Sequence, residues 1–128
     1  WMIKHHPFQN VFLNLIQKKI IKKKFDLDYV GNSDVHMLRY ILENSNSKNI
    51  KVSSIGYTWI KGSFEILNVQ EKTRLNFTDI YTSDYLIFRN SPPYTNEAIE
   101  TYIKKNYNND FELIIDSNII NTVYKRKK

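Results

Sequence analysis

The chain has 128 residues, 41% of them hydrophobic, with a formal net charge of +6 and no cysteine. That length suits a single domain with a real apolar core, and the composition excludes a disordered tail. Disulfides, thiolate chemistry and cysteine-based metal sites are excluded outright.

From His5 to Lys24, Phe8, Val11, Phe12, Leu15 and Ile16 recur at helical spacing ahead of Lys18, Lys19, Lys22, Lys23 and Lys24. This reads as an amphipathic segment with a basic end, suited to a membrane surface or to packing on its own domain. Residues 1–24 form this membrane-proximal piece and residues 25–128 a single α/β domain. Phe25 to Gly31 reads as a loop, with N-cap chemistry from Asn32, Ser33 and Asp34. A helix is predicted over 34–44, with Val35, Leu38, Ile41 and Leu42 as its buried stripe. Ile50 to Ile55 alternates as a strand, and Gly56 turns the chain. Residues 57–68 read as a helix with Trp59, Ile60, Phe64 and Leu67 inward, weakened by Gly62.

Residues 73–77 form a short strand, and Asp84 to Arg89 form the most apolar and central one. Ser91-Pro92-Pro93 is a break. Thr95 or Asn96 caps a helix ending near Asn106, with Ala98, Ile99, Tyr102 and Ile103 buried. Asn108-Asn109-Asp110 reads as a turn. Residues 111–116 and 119–125 read as a hairpin joined at Ser117-Asn118. The alternation predicts a small layered α/β sandwich with a mostly parallel central sheet and a C-terminal antiparallel hairpin.

No complete catalytic constellation emerges. His5 and His6 are adjacent, so on an extended chain they point opposite ways, and no H-E-x-x-H spacing exists; no metal site is expected. Three glycines and no phosphate-loop motif argue against a nucleotide. Asp26 and Asp28 share a face only if extended, and read as polar loop residues that cap backbone N–H groups. Asp79, Asp84, Asp110 and Asp116 fall at strand or turn boundaries and read as structural. The four arginines, Arg39, Arg74, Arg89 and Arg126, are spread widely, which argues against nucleic acid. Two other classes stay in view: a free-standing basic module for RNA or an acidic partner, and a small nuclease built on His6 or His36.

Two segments are more specific. Residues 6–14 read HPFQNVFLN and residues 25–33 read FDLDYVGNS. Together they resemble the C-terminal region of polytopic glycosyltransferases of the dolichyl-phosphate-mannose type, which use polyprenyl-phosphate sugars. There, a last membrane helix leads into a stretch like H-P-Y-Q-Y-V-Y-F-N, then an F-E-x-D-Y-W-G-x-S run entering a helix. The match covers His6, Pro7, Gln9, Val11 and Asn14, then Phe25, Asp28, Tyr29, Gly31 and Ser33. Phe8 and Phe12 are aromatic swaps, and Val30 departs from the family's Trp. The closing Ile120 to Lys125 (INTVYK) is similar to the family's end.

The resemblance implies sugar transfer from a lipid-linked donor, with the base on an early extracytoplasmic loop outside this chain. It therefore implies no catalytic residue and no cofactor here. His6, Pro7, Gln9, Asn14, Asp28, Tyr29 and Gly31 become loop-fixing or substrate-proximal candidates. Trp1-Met2-Ile3 then reads as the tail of a membrane helix. The partners are the membrane surface, the transmembrane part of the same protein and, indirectly, donor and acceptor. The domain is expected on the extracytoplasmic side.

Overall fold

The computed structural model describes residues 32–56, 60–89, 96–115 and 117–128. The amphipathic segment, the FDLDYVG loop, Trp59, the 91–93 break, Thr95 and Asp116 lie outside the described residues.

The chain enters at helix α1 (Asn32–Asn44), followed by strand β1 (Ile50–Ile55). Helices α2 (Ile60–Ile66) and α3 (Val69–Arg74) lead to β2 (Leu75–Phe77) and then β3 (Tyr85–Arg89). Helix α4 (Glu97–Asn106) precedes the hairpin of β4 (Tyr107–Ile115) and β5 (Asn118–Arg126). The strands order as β2-β1-β3-β5-β4. β2, β1 and β3 are parallel, while β5 runs antiparallel to both β3 and β4. The expected class, a small α/β domain with a parallel core and an antiparallel C-terminal hairpin, is the one observed.

Strand alternation sends β3 side chains to both faces. Tyr85 and Ile87 join Val52 and Val123 beneath Met37, Leu38, Ile41 and Leu42 of α1. Leu86 meets Ile103 and Tyr107 on the other face, flanked by Ile99, Tyr102 and Tyr124. The sheet is thus covered by α1 and α2 on one side and by α4 on the other. Both faces of β3 are dry, which explains its unbroken apolar run.

α1 carries no basic residue in its last turn, so Arg74 supplies the missing cation from across the molecule. Its guanidinium donates to the carbonyls of Leu42, Ser45 and Ser47. That satisfies the open end of the helix and opposes its dipole.

Five local expectations need correction. The strand expected over 73–77 shortens to Leu75–Phe77, because Asn68 and Glu71 form a capping box that starts α3. The Asn68 side chain accepts from Glu71 N at 2.9 Å, and Glu71 returns the bond to Asn68 N at 2.8 Å. The single helix expected over 57–68 is α2 alone, ending at Ile66. Residues 108–110 are not a turn: they belong to β4, pairing with Tyr124 and Lys125 through a register shift. Ala98 is exposed rather than buried. Asn118 lies inside β5, and only Ser117 takes the left-handed turn conformation, at φ 65°.

The connection over 78–84 replaces a crossover helix. Asp79 folds its start by accepting from Tyr81 N at 2.7 Å and Thr82 N at 3.0 Å. Arg126 pins its far end, donating to Ser83 O, Ile80 O and the Tyr107 hydroxyl. Burial raises the pKa of Tyr107, and burial raises that of Tyr124 as well.

Two outcomes test this architecture. Gly56 has φ +98°, and a Cβ there would lie 2.8 Å from the Arg89 carbonyl oxygen. Gly56→Ala is expected to cost at least about 1–2 kcal/mol, seen as a lower urea midpoint with an unchanged slope. An unaltered midpoint would show that the end of β1 relaxes freely. The second concerns pH. A raised tyrosine pKa means the folded state holds its proton longer than the unfolded state does. Its stabilising contribution is therefore complete below the ordinary value of 10.0 and is lost as pH rises through the folded value. Tyr124→Phe should give a shallower alkaline loss of stability than the parent; identical alkaline limbs would reject this assignment.

Candidate functional site

Polar groups are buried together at the carboxyl end of the parallel strands. Ser33 and Asp34, in the first turn of α1, are both 0% exposed. Arg89, the last residue of β3, is 1% exposed, and Asn121 on β5 is 0% exposed. Arg89 and Asn121 are direct cross-strand partners, so both project toward the α1 face. Asn118 is also buried, nearer the hairpin turn.

Asn121 organises this cluster. Its Nδ2 donates to Ser33 Oγ at 2.8 Å and to Asp34 Oδ1 at 2.8 Å. Its Oδ1 accepts from the Thr122 N–H at 3.0 Å. Both donor hydrogens and the acceptor of the carboxamide are therefore used. A buried carboxylate is tolerable only when hydrogen-bonded or paired, and Asn121 supplies part of that requirement for Asp34. Ser33 and Asp34, read with Asn32 as N-cap chemistry, lie in the first turn of α1, and both side chains accept inward from Asn121 on the sheet.

This arrangement joins α1 to β5 through buried polar contacts. None of its members opens to solvent. Among the described residues, no group of three or more His, Asp or Glu is placed to hold a metal ion. His36 is exposed on α1. Asp79, Asp84 and Asp110 each hold a nearby group: Asp84 accepts from Lys51 N at 3.1 Å with one oxygen, and Asp110 accepts from the Tyr40 hydroxyl at 3.2 Å. The expected site residues His6, Pro7, Gln9, Asn14, Asp28, Tyr29 and Gly31 all lie outside the described residues, as do Asp26, His5 and Asp116.

Sequence reasoning passed over Asn121 and Arg89. The signal was present: each is a polar residue on the inward phase of an otherwise apolar strand, in step with Val123 and Ile87. Such a residue needs a buried partner. What no spacing rule supplies is that Asn121 finds Ser33 and Asp34, 88 and 87 positions away.

Comparison of the chain with protein-family models, with curated proteins and with solved structures finds no significant match. Among the described residues, no helix is long and apolar enough to cross a membrane.

Asn121→Ala removes one hydrogen bond to the buried Asp34 carboxylate and is expected to cost about 1.5–3 kcal/mol, the range for hydrogen bonds to charged groups. The loss should be accompanied by faster amide exchange in the first turn of α1. An exchange pattern unchanged there would show that the clamp does not hold the helix start.

Proposed function

We propose that this chain is the C-terminal extramembrane domain of a membrane glycosyltransferase that uses a lipid-linked sugar donor. The reading rests first on the residues matched in HPFQNVFLN, FDLDYVGNS and INTVYK. One structural observation supports it most. Ser33 closes the second of these motifs and Asn121 lies in the third, and their side chains are hydrogen-bonded in the buried interior. Independent chance likenesses at two distant places give no reason for those places to touch. A domain whose motif residues serve a common structural purpose gives one.

In this reading the domain is non-catalytic by itself. Inverting sugar transfer needs a base beside the acceptor hydroxyl, and that carboxylate belongs to a part of the enzyme outside this chain. The domain's work is to help position acceptor or donor from the extracytoplasmic side. The Asn121 clamp fixes where α1 begins, and so fixes one end of the FDLDYVGNS segment. A segment tied to a rigid helix start is a better positioning device than a free one.

The native gene product, detected with an antibody to this domain, is expected to run far above 15.3 kDa. It should also require detergent for extraction, and the epitope should be reached by protease from outside the cytoplasm. A soluble product of the chain's own mass would reject the reading.

A further inference from the structure

The opposite end of the sheet is open. A cleft of about 440 Å³ lies over the amino ends of β1 and β3, between the α1–β1 connection and the end of β5. Its volume falls within the usual range for small-molecule sites, about 300–1,000 Å³. Asn44 and Asn46 line one side, Asp84 and Tyr85 the base, and Lys125 and Lys128 the other side.

The cleft is built from held parts. Arg74 grips the connection through the carbonyls of Ser45 and Ser47, and the Ser47 hydroxyl donates to Asn49 O at 2.8 Å. One oxygen of Asp84 is fixed by the Lys51 N–H. Lys125 Nζ sits 5.5 Å from the centroid of the Tyr85 ring; a hydrogen bond donated by the ammonium to the Tyr85 side chain, and the negative charge of that phenol when ionised, raise the Lys125 pKa. The connection and the Asp84 carboxylate are therefore already ordered before a ligand arrives, which favours binding.

The neighbouring cations are occupied elsewhere. Lys127 Nζ caps α4 by donating to the carbonyls of Lys104 and Lys105 at 2.8 and 3.1 Å. Arg126 is spent on the 78–84 connection. Lys125 and Lys128 are the basic residues among those that line the cleft. Among the lining residues two lysines outnumber the one aspartate, with Asp110 near enough to Lys125 to act on its charge; that balance favours an anion, and lysine serves phosphate as a compact point charge. The Asp84 carboxylate repels a ligand that is anionic throughout, but accepts hydroxyl hydrogens, as do the amide and hydroxyl oxygens of residues 44–47.

We propose that this cleft binds a phosphorylated polyol, with the phosphate against Lys125 and Lys128 and the hydroxyls against Asp84 and the Asn44–Ser47 connection. The ligand chemistry is that of a sugar phosphate, whether free or displayed as a lipid headgroup. The site uses only residues of this domain and does not depend on the membrane assignment.

The test is an amide chemical-shift titration of the 128-residue chain with glucose 1-phosphate, glucose, inorganic phosphate, and vesicles containing phosphatidylinositol phosphate. Saturable shifts at residues 44–47, 84, 85 and 125 are expected with glucose 1-phosphate, and weaker binding with glucose or phosphate alone. Lys125→Gln should weaken binding about tenfold, the loss of one charge-assisted contact. Lys104→Gln should change nothing, and both variants should keep the parent spectrum elsewhere. Shifts at the same residues with vesicles alone would assign the phosphate to a lipid headgroup; shifts with the soluble ester would assign it to a free sugar phosphate. Binding of glucose or phosphate as tight as that of the ester, no saturable shift in any arm, indifference to Lys125→Gln, or shifts spread equally over Lys104, Lys105 and Lys127 would overturn the proposal.

Discussion

The carboxamide of Asn121 joins the last strand to the first described helix by something more directional than apolar contact. Hydrophobic burial drives α1 onto the sheet, but burial alone tolerates sliding and rotation of a helix over a smooth apolar face. Hydrogen bonds from one fully buried side chain to Ser33 and Asp34 remove that freedom. The price of this specificity is a carboxylate and a guanidinium withdrawn from water at the same end of the molecule. Because β5 also pairs with β3 and β4, fixing Asn121 fixes the hairpin, the central strand and the helix start relative to one another.

This constraint divides the molecule into two unlike ends. In open α/β sheets, ligands usually bind outside the carboxyl ends of the strands. Here that end carries Ser33, Asp34, Arg89 and Asn121 packed together and shut off from water. The close approach of Gly56 to the Arg89 carbonyl tightens it further. The amino end has the reverse character: its polar groups are held in place but remain exposed, as at Asp84 and Lys125. A sealed end suits attachment to preceding chain, and an open end with organised donors and acceptors suits recognition. The glycosyltransferase reading draws on the first, and the phosphorylated-polyol cleft on the second.

Much of the fold was legible because its signals are local. β1 was read with its observed bounds, since a six-residue alternation between a polar stop and a glycine leaves little room for another reading. β3 was read as central because only a strand buried on both faces carries an unbroken run such as Tyr85 to Phe88. The misreadings occurred where two local signals competed. Residues 69–74 lack an apolar stripe, and only the Asn68–Glu71 capping box makes them helical. Asn108, Asn109 and Asp110 have turn chemistry, yet the ladder with β5 overrides it, with a bulge absorbing the mismatch.

The sequence by itself determined the α/β class, the order of most elements and the inward phase of most of them, because periodicities of 3.6 and 2 are properties of the chain's own geometry. It also carried the motif likeness on which the functional reading rests. Only the tertiary structure decided which polar residues meet. Arg74 closing α1, Arg126 pinning residues 78–84 and Asn121 clamping Ser33 and Asp34 each span tens of positions. Such pairings follow from strand order and register rather than from spacing, since a side chain's partner across a sheet is chosen by topology.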